Sequence, residues 1–206
     1  MKIQAENNRY HGDSGWESDL SLFPDVVITW EQWLGSSAEH IHAGHLLLPS
    51  ILEHQKRMES LRQSGGFSSV PPVMTSIFFF HCALAIENSL KGVIVAHDSS
   101  QVKSHILEKG KIPYGVLGHD LNELSIKAGY EQDIDVEYIL TFLTRYGIWS
   151  GKYPTPIKSS DSDLTVRLSN GNHYMVGGYN PKTVPSYLEF SETVYKWARE
   201  KLTKLS

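Results

Sequence analysis

Hydrophobic residues recur at helical spacing through most of the chain. From about Trp30 to Arg62, apolar side chains fall three or four positions apart with charged residues between them, which predicts an amphipathic helix. Pro49 lies inside this stretch, and we expect it to kink or divide the helix. The stretch from about Val73 to His97 is apolar on nearly every side and too long for a strand. It therefore predicts a central helix that neighbours pack from several directions.

Caps and periodicity predict more helices toward the C-terminus. Asp120, followed three residues later by Glu123, is a capping-box pattern, which predicts a short helix over about 121–128. Apolar positions return to helical period from about 134 to 149 and from about 185 to 205. The second half of the chain is thus predicted to supply three helices to the same core.

Strict alternation of apolar and polar residues occurs in one place. The Asn170-Gly171 pair separates two alternating segments, a pattern typical of a β-hairpin, so we predict a small hairpin near residues 164–176. Residues 1–28 are polar and irregular and predict an N-terminal arm. The fold class predicted is mainly α: an antiparallel helical bundle over 29–206, forming a single domain with its hairpin insertion at 160–180.

Composition limits the classes of function. The chain has 206 residues, 40% of them hydrophobic, and carries a formal net charge of -4, which disfavours a uniformly basic nucleic-acid binder. A single cysteine, Cys82, excludes an intramolecular disulfide and a thiolate metal cluster and favours a reducing compartment. The N-terminal residues lack the apolar segment of a signal peptide, and no run approaches the roughly 18 apolar residues of a membrane span. We therefore expect a cytoplasmic protein without membrane association.

Charged residues interrupt the most apolar helix. Glu87, Asn88 and Lys91 lie there, with Glu87 and Lys91 four positions apart in the favourable order for an ion pair. Buried charges are costly unless paired, so these residues indicate either a satisfied buried network or the edge of a cleft. His119 comes directly before the predicted helix start at Asp120 and has two interpretations. It either binds an anion or takes part in acid–base chemistry, or it has no functional role and only precedes an ordinary capped helix.

Cations and aromatic residues concentrate just after the predicted helix over 134–149. From Arg145 to Lys158 there are three cations and no acid, and aromatic residues, Tyr153 among them, lie between them. The guanidinium of arginine makes two hydrogen bonds to a phosphate, and aromatic rings stack on nucleic-acid bases. Arg145, Lys152 and Tyr153 are therefore candidates for contact with an anionic ligand. The alternative is that the aromatic residues anchor the loop and the cations cover a helix C-terminus.

Ten histidines raise the question of a metal site. His42 and His45 are three positions apart, and His81 is a candidate third ligand from another helix, which would make the protein a metal-dependent helical-bundle hydrolase. No His-Glu-x-x-His pattern occurs, so we interpret these histidines as structural and predict no metal. The sequence also lacks a Walker loop, a Gly-x-Gly-x-x-Gly turn and a Gly-x-Ser-x-Gly elbow, and no cofactor is predicted.

Three segments together resemble the HEPN superfamily: AIENSLKG at 85–92, GHDL at 118–121 and WSGKYP at 149–154. The resemblance covers roughly residues 73–156. It implies an antiparallel helical bundle, often dimeric, and in many members a metal-independent endoribonuclease of bacterial toxin–antitoxin or phage-defence systems. Active members carry an arginine and then, after four to six residues, a histidine. Here Arg145 is followed seven positions later by Lys152 where that pattern has histidine.

The resulting hypothesis is an RNA- or nucleotide-binding protein, active either as a binder or as a divergent ribonuclease in which His119 or His97 replaces the missing histidine. The candidate catalytic residues are His119 and Arg145, and the candidate ligand-binding residues are Glu87, Asn88, Lys91, Lys152 and Tyr153. RNA or a nucleotide and a second copy of the chain are the expected partners. Two alternatives stay open: a non-catalytic dimerising module that binds a partner protein, and the metal-dependent hydrolase.

Overall fold

The computed structural model describes residues 22–65, 74–150, 165–175 and 181–204, and most of them are helical. The helical-bundle prediction is confirmed. The α-helices in chain order are α1 (Phe23–Ile28), α2 (Trp30–Gln63), α3 (Thr75–His97), α4 (Ser99–Lys109), α5 (Tyr114–Leu117), α6 (Leu121–Ala128), α7 (Ile134–Arg145) and α8 (Val184–Thr203). A π-helical turn, Tyr146–Ser150, continues α7, and a 3-10 turn, Pro181–Thr183, precedes α8.

Helix α3 is the centre of the bundle, as its all-round apolar sequence predicts. Helix α2 runs antiparallel to it, because Ser37 on α2 meets Ser89 at 2.8 Å while His40, one turn later, meets the earlier residue His81. Helix α8 runs parallel to α3, because Ser191 donates a hydrogen bond to the Cys82 carbonyl and Leu202 lies beside Gly92. The bundle therefore has mixed helix directions, which corrects the prediction of a purely antiparallel one.

Helix α3 also has the length and composition of a membrane span. Its most apolar window has a mean hydropathy of 1.4, and 72% of that window is buried inside the fold. Its two charged residues, Glu87 and Lys91, are buried and bonded to each other. These properties are equally typical of a core helix, so the hydropathy of α3 follows from its central position in the bundle.

Pro49 does not divide α2, contrary to one of the two predicted outcomes. The helix is continuous over 34 residues with Pro49 inside it. Pro49 is exposed, so water can satisfy the carbonyl that its missing N–H leaves without a partner. Packing holds the preceding turns in place: a Cβ added to Gly44 would lie only 2.8 Å from Leu188 Cδ1, which shows how closely α2 and α8 approach.

The end of the predicted N-terminal arm is helical. Pro24 lies in the first turn of α1, where a proline costs nothing, and Val27 is buried against the core at 6% exposure. Asp25 accepts a hydrogen bond from Lys103 on α4, which attaches α1 to the bundle. Residues 23–28 of the predicted arm are therefore helical where the sequence predicted irregular backbone, and residues 1–21 lie outside the described residues.

Two three-residue strands, β1 (Thr165–Arg167) and β2 (His173–Met175), pair antiparallel with Val166 opposite Tyr174. Gly171 has a φ of 82° in the turn between them, a conformation that favours glycine. Leu168 is 6% exposed, and Ser169 donates two hydrogen bonds to the Glu137 carboxylate on α7. This turn is thereby fixed to the bundle, while residues 160–164 and 176–180 of the predicted insertion lie outside the described residues.

The single cysteine lies within the core. Cys82 on α3 is 1% exposed, and its neighbours in the chain are also largely buried. Burial raises the pKa of the Cys82 thiol to about 12, because the charged thiolate loses its solvation. The thiol is therefore protonated at neutral pH.

Candidate functional site

Three charged or titratable side chains, named from two separate motifs, meet at one place. Lys91 Nζ donates to Glu87 Oε1 at 2.6 Å, and His119 Nδ1 lies 3.0 Å from the same carboxylate oxygen. The Glu87 and Lys91 side chains are each 6% exposed, whereas the His119 side chain is 52% exposed. The arrangement is a chain of contacts that runs from a buried ammonium through a buried carboxylate to an imidazole at the surface.

The local sequence accounts for the position of each residue in this chain of contacts. Glu87 and Lys91 are four residues apart on α3, so they lie on the same helix face one turn from each other. His119 comes immediately before α6, whose start is fixed by Asp120: its carboxylate accepts from the backbone N–H groups of Asn122 and Glu123. The predicted helix over 121–128 and its cap are therefore confirmed. The cap fixes the backbone next to His119 and so fixes the position from which the His119 side chain projects.

Replacing Asp120 by alanine will lower the free energy of unfolding by about 1 kcal/mol, because two N–H groups at the start of α6 lose their acceptor. Asp120→Asn is the matched control, since asparagine is an equally good N-cap and should leave stability within a few tenths of a kcal/mol. Urea denaturation measures both. Equal losses in the two variants would show that Asp120 acts through its charge and not as a cap.

The position of His119 determines which of its ring nitrogens is available. Nδ1 faces the Glu87 carboxylate, which accepts a hydrogen bond from it, so Nδ1–H is the tautomer that this contact favours. Nε2 lies on the opposite side of the ring from Nδ1 and is not used in this bond. A carboxylate that holds an imidazole in this way orients Nε2 to accept a proton when the ring is neutral, and to donate a hydrogen bond to an anion when both ring nitrogens carry a proton.

A π-helical turn closes the other side of Glu87. The turn Tyr146–Ser150 packs against α3 at Gly147, where an added Cβ would lie 3.4 Å from Ala83 Cβ and 4.0 Å from Glu87 Oε2. Oε2 is buried and has no hydrogen-bond partner among the described residues. π-Helical turns inside helices occur often at functional sites, and this one places its backbone beside the carboxylate. The sequence predicts a helix that ends near Trp149 but contains no signal for the π-helical turn at Tyr146–Ser150.

The remaining predicted site residues are placed elsewhere or lie outside the described residues. Asn88 donates to Ser36 on α2 at 3.2 Å and so connects two helices, and Arg145 donates to the Thr165 carbonyl on β1. His97, the other imidazole considered as a substitute, is exposed and bonds to Asp98. Lys152 and Tyr153 lie in the undescribed segment 151–164.

A pair of imidazoles, His40 and His81, joins α2 to α3. His40 Nδ1 and His81 Nδ1 are 3.0 Å apart, a hydrogen bond in which one ring donates and the other accepts. Burial lowers the pKa of both histidines, and the proximity of His81 lowers that of His40 further, against an opposing effect of Glu39 and Glu87. The Glu87 carboxylate thus acts electrostatically on His40 as well as bonding to His119. The pairing of these two histidines was not predicted from the sequence.

The stability of the protein should fall as pH drops, because the folded state favours neutral His40 and His81. In the unfolded chain these residues titrate near their ordinary pKa of 6.5, so the unfolded state binds more protons below that pH. Their contribution is complete above about pH 6.5 and is lost as pH falls below it. Urea denaturation at pH 7.5 and pH 5 measures the difference.

The double variant His40→Gln/His81→Gln should lose less stability between these pH values than the parent. His42→Gln is the matched control, because His42 is exposed on the same helix. If the double variant and the parent show the same loss between pH 7.5 and pH 5, the pair does not cause the pH dependence.

The three histidines of the metal-site alternative do not converge. His42 is exposed, His45 bonds to Glu192 on α8 at 2.7 Å, and His81 pairs with His40. Within the described ranges no group of three or more His, Cys, Asp or Glu side chains is arranged to hold a metal ion. The geometry thus gives the metal-dependent hydrolase no centre in this part of the chain.

Comparisons of this chain with protein-family models, curated proteins and solved structures find no match. Any function must therefore be argued from the site itself.

Proposed function

We propose that this protein binds RNA or a nucleotide through its phosphate groups and that His119 makes the principal contact. The contact chain from Lys91 through Glu87 to His119 is the observation that supports the proposal. It holds a surface imidazole in a defined orientation by two buried charged groups, an arrangement that is costly unless it is used or fully satisfied. Glu87 and Lys91 are positioning residues in this proposal, because His119 lies between them and solvent.

The same geometry suits proton transfer to RNA. With Nδ1 bonded to Glu87, the Nε2 of His119 is the group that would exchange a proton with a ribose hydroxyl or with the leaving oxygen of a phosphodiester. No step in this chemistry requires a metal. The resemblance to HEPN proteins extends the proposal to a dimeric ribonuclease of a bacterial toxin–antitoxin or phage-defence system.

Arg145 is the second phosphate contact in this proposal. It lies two residues before Gly147, whose backbone packs beside Glu87, and its bond to the Thr165 carbonyl connects it to β1. The backbone of β1 would then set the direction of the guanidinium. Lys152 and Tyr153 lie outside the described residues, and their proposed contact with the same ligand depends on their residue types alone.

Fluorescence anisotropy with a labelled single-stranded RNA at low salt tests binding. His119→Ala should weaken the RNA about tenfold, the loss expected for one hydrogen bond to a charged group. His97→Ala is the matched control, because His97 is an exposed imidazole bonded to Asp98 and not to Glu87. Parent-like affinity in His119→Ala would contradict the assignment of the site.

Cleavage is tested with the same RNA in excess EDTA. A ribonuclease of the proposed kind should cut RNA without a divalent metal, and Glu87→Gln should reduce the rate while preserving the shape of the side chain. If RNA binds and stays intact, the protein is a binder and His119 a phosphate contact. The absence of RNA binding at low salt, where phosphate contacts are strongest, would favour the dimerising module that binds a partner protein.

A further inference from the structure

A second feature of the structure suits an anionic ligand and lies apart from His119. A groove of about 760 Å³ separates the C-terminal half of α2 from the start of α8. We call it the α2–α8 groove; its charged lining residues are Lys56, Glu59, Arg62 and Lys182. Its volume falls in the range of about 300–1,000 Å³ that is typical of small-molecule sites.

The charge of the groove opposes that of the whole protein. Three cations and one acid line it, a local excess of two positive charges in a chain whose net charge is -4. Hydrogen bonds from Gln63 and Arg62 lower the pKa of Glu59, so the acid is ionised at neutral pH. Arg62 binds Glu59 at 2.7 Å, which holds its guanidinium at the groove wall. Among the described residues that line the groove, cations therefore outnumber acids.

The other lining residues fit a ligand that also has an apolar body. Leu52 and Pro185 provide an apolar surface beside the cations. The side-chain nitrogen of Gln55 is buried in the same wall and has no hydrogen-bond partner among the residues that the structure describes.

We propose that the α2–α8 groove binds the phosphate groups of a nucleotide, either free or within an RNA strand. Arg62 and Lys56 would contact the phosphates, the planar fork of Arg62 being suited to bidentate contact, while the base would lie on Leu52 and Pro185. His40 on α2 lies close enough to Glu87 for that carboxylate to act on its pKa, so it marks the part of α2 nearest the His119 site. Gln55 is 15 residues further along the same continuous helix, about 22 Å at 1.5 Å per residue. The groove is therefore separate from the His119 site. Binding here does not depend on the function proposed for His119.

Isothermal titration calorimetry with ATP at low salt tests the groove. Arg62→Gln and Lys56→Gln should each weaken ATP about tenfold, the effect of losing one charged hydrogen bond. Glu59→Gln should tighten ATP, because it removes the acid from the groove. Weaker ATP binding in Arg62→Gln and Lys56→Gln together with tighter binding in Glu59→Gln, three residues from each, is a result that a general loss of structure would not produce. Circular dichroism confirms that each variant is folded.

Two controls separate the groove from other sites. Lys204→Gln removes an exposed lysine at the far end of α8, and Arg57→Gln removes an exposed cation of α2 that does not line the groove. Both should bind ATP as the parent does. Loss of ATP binding in His119→Ala with parent-like binding in Arg62→Gln would assign the nucleotide to the His119 site and overturn the groove proposal.

Two further probes identify the source of the phosphate. A uridine pentanucleotide that binds more tightly than ATP, with the same loss in Arg62→Gln, would identify the ligand as an RNA strand. ATP binding that is tighter than pentanucleotide binding would identify a free nucleotide, and both results support the proposal. Polyglutamate binding without ATP or pentanucleotide binding would assign the groove to acidic protein segments and overturn it, as would failure of all three probes to bind.

Discussion

Replacing Lys91 by methionine will lower the free energy of unfolding by about 3–5 kcal/mol. Lys91 Nζ lies 2.6 Å from Glu87 Oε1, and both side chains are 6% exposed. Methionine keeps the length of the side chain but removes the ammonium, so the carboxylate stays buried with His119 as its one remaining bonded partner among the described residues. Urea denaturation followed by tryptophan fluorescence measures the loss.

A double variant distinguishes the cost of an orphaned charge from the value of the pair. Glu87→Leu/Lys91→Met replaces both charged groups by apolar ones, and such replacements are often neutral in stability. We expect the double variant to recover most of the loss seen in Lys91→Met, yet to bind RNA as weakly as His119→Ala because the imidazole has lost its carboxylate. A double variant that is as unstable as the sum of the two single variants would contradict this account.

Replacing Phe79 by alanine is the second change with a large expected effect, a loss of about 3–5 kcal/mol. Phe79 is 0% exposed, and its ring centroid lies 5.1 Å from that of Phe142 and 5.0 Å from those of Tyr146 and Tyr187. Alanine removes this whole set of contacts and leaves a cavity where α3, α7, the π-helical turn and α8 meet. Thermal and urea denaturation measure the change.

Ile77→Ala is the matched control for Phe79→Ala. Ile77 lies on the same helix and is 46% exposed, so its truncation should change stability by no more than about 0.5 kcal/mol. Tyr146 begins the π-helical turn, so Phe79→Ala should also weaken RNA binding through the displaced turn. A loss below about 1 kcal/mol would show that the aromatic cluster repacks around the cavity.

Sequence reasoning succeeds here where the cause is local. The cap at Asp120 and the length of α6 follow from hydrogen bonds within a few residues, and the all-round burial of α3 follows from its composition. The same reasoning correctly identified Glu87 and Lys91 as charges that needed a partner. Each of these inferences depends on residues close together in the chain.

Contacts between distant residues could not be derived in the same way. His119 is 32 positions from Glu87, and their contact depends on how the loop before α6 returns to α3. The pairing of His40 with His81 depends on the register between α2 and α3, which is set by close contacts such as that of Ser37 with Ser89. Nor does any local signal indicate the π-helical geometry at Gly147.

Pro49 shows the opposite case, in which a strong local signal is overruled. Its missing N–H removes one hydrogen bond, but α2 packs against α3 and α8, and Gly44 before Pro49 and Ile51 after it are buried. Tertiary packing over many turns outweighs one lost bond, so α2 continues through Pro49 and carries the α2–α8 groove beyond it.

The inert thiol at Cys82 makes the natural sequence a ready background for site-specific labelling. With the pKa of its one thiol raised to about 12 and the side chain 1% exposed, maleimide reagents at neutral pH will leave Cys82 unmodified in the folded protein. A cysteine introduced at Tyr114, which is 89% exposed, would then be the single reactive position. Fluorophores placed this way can report on ligand binding at either site without prior removal of native cysteine.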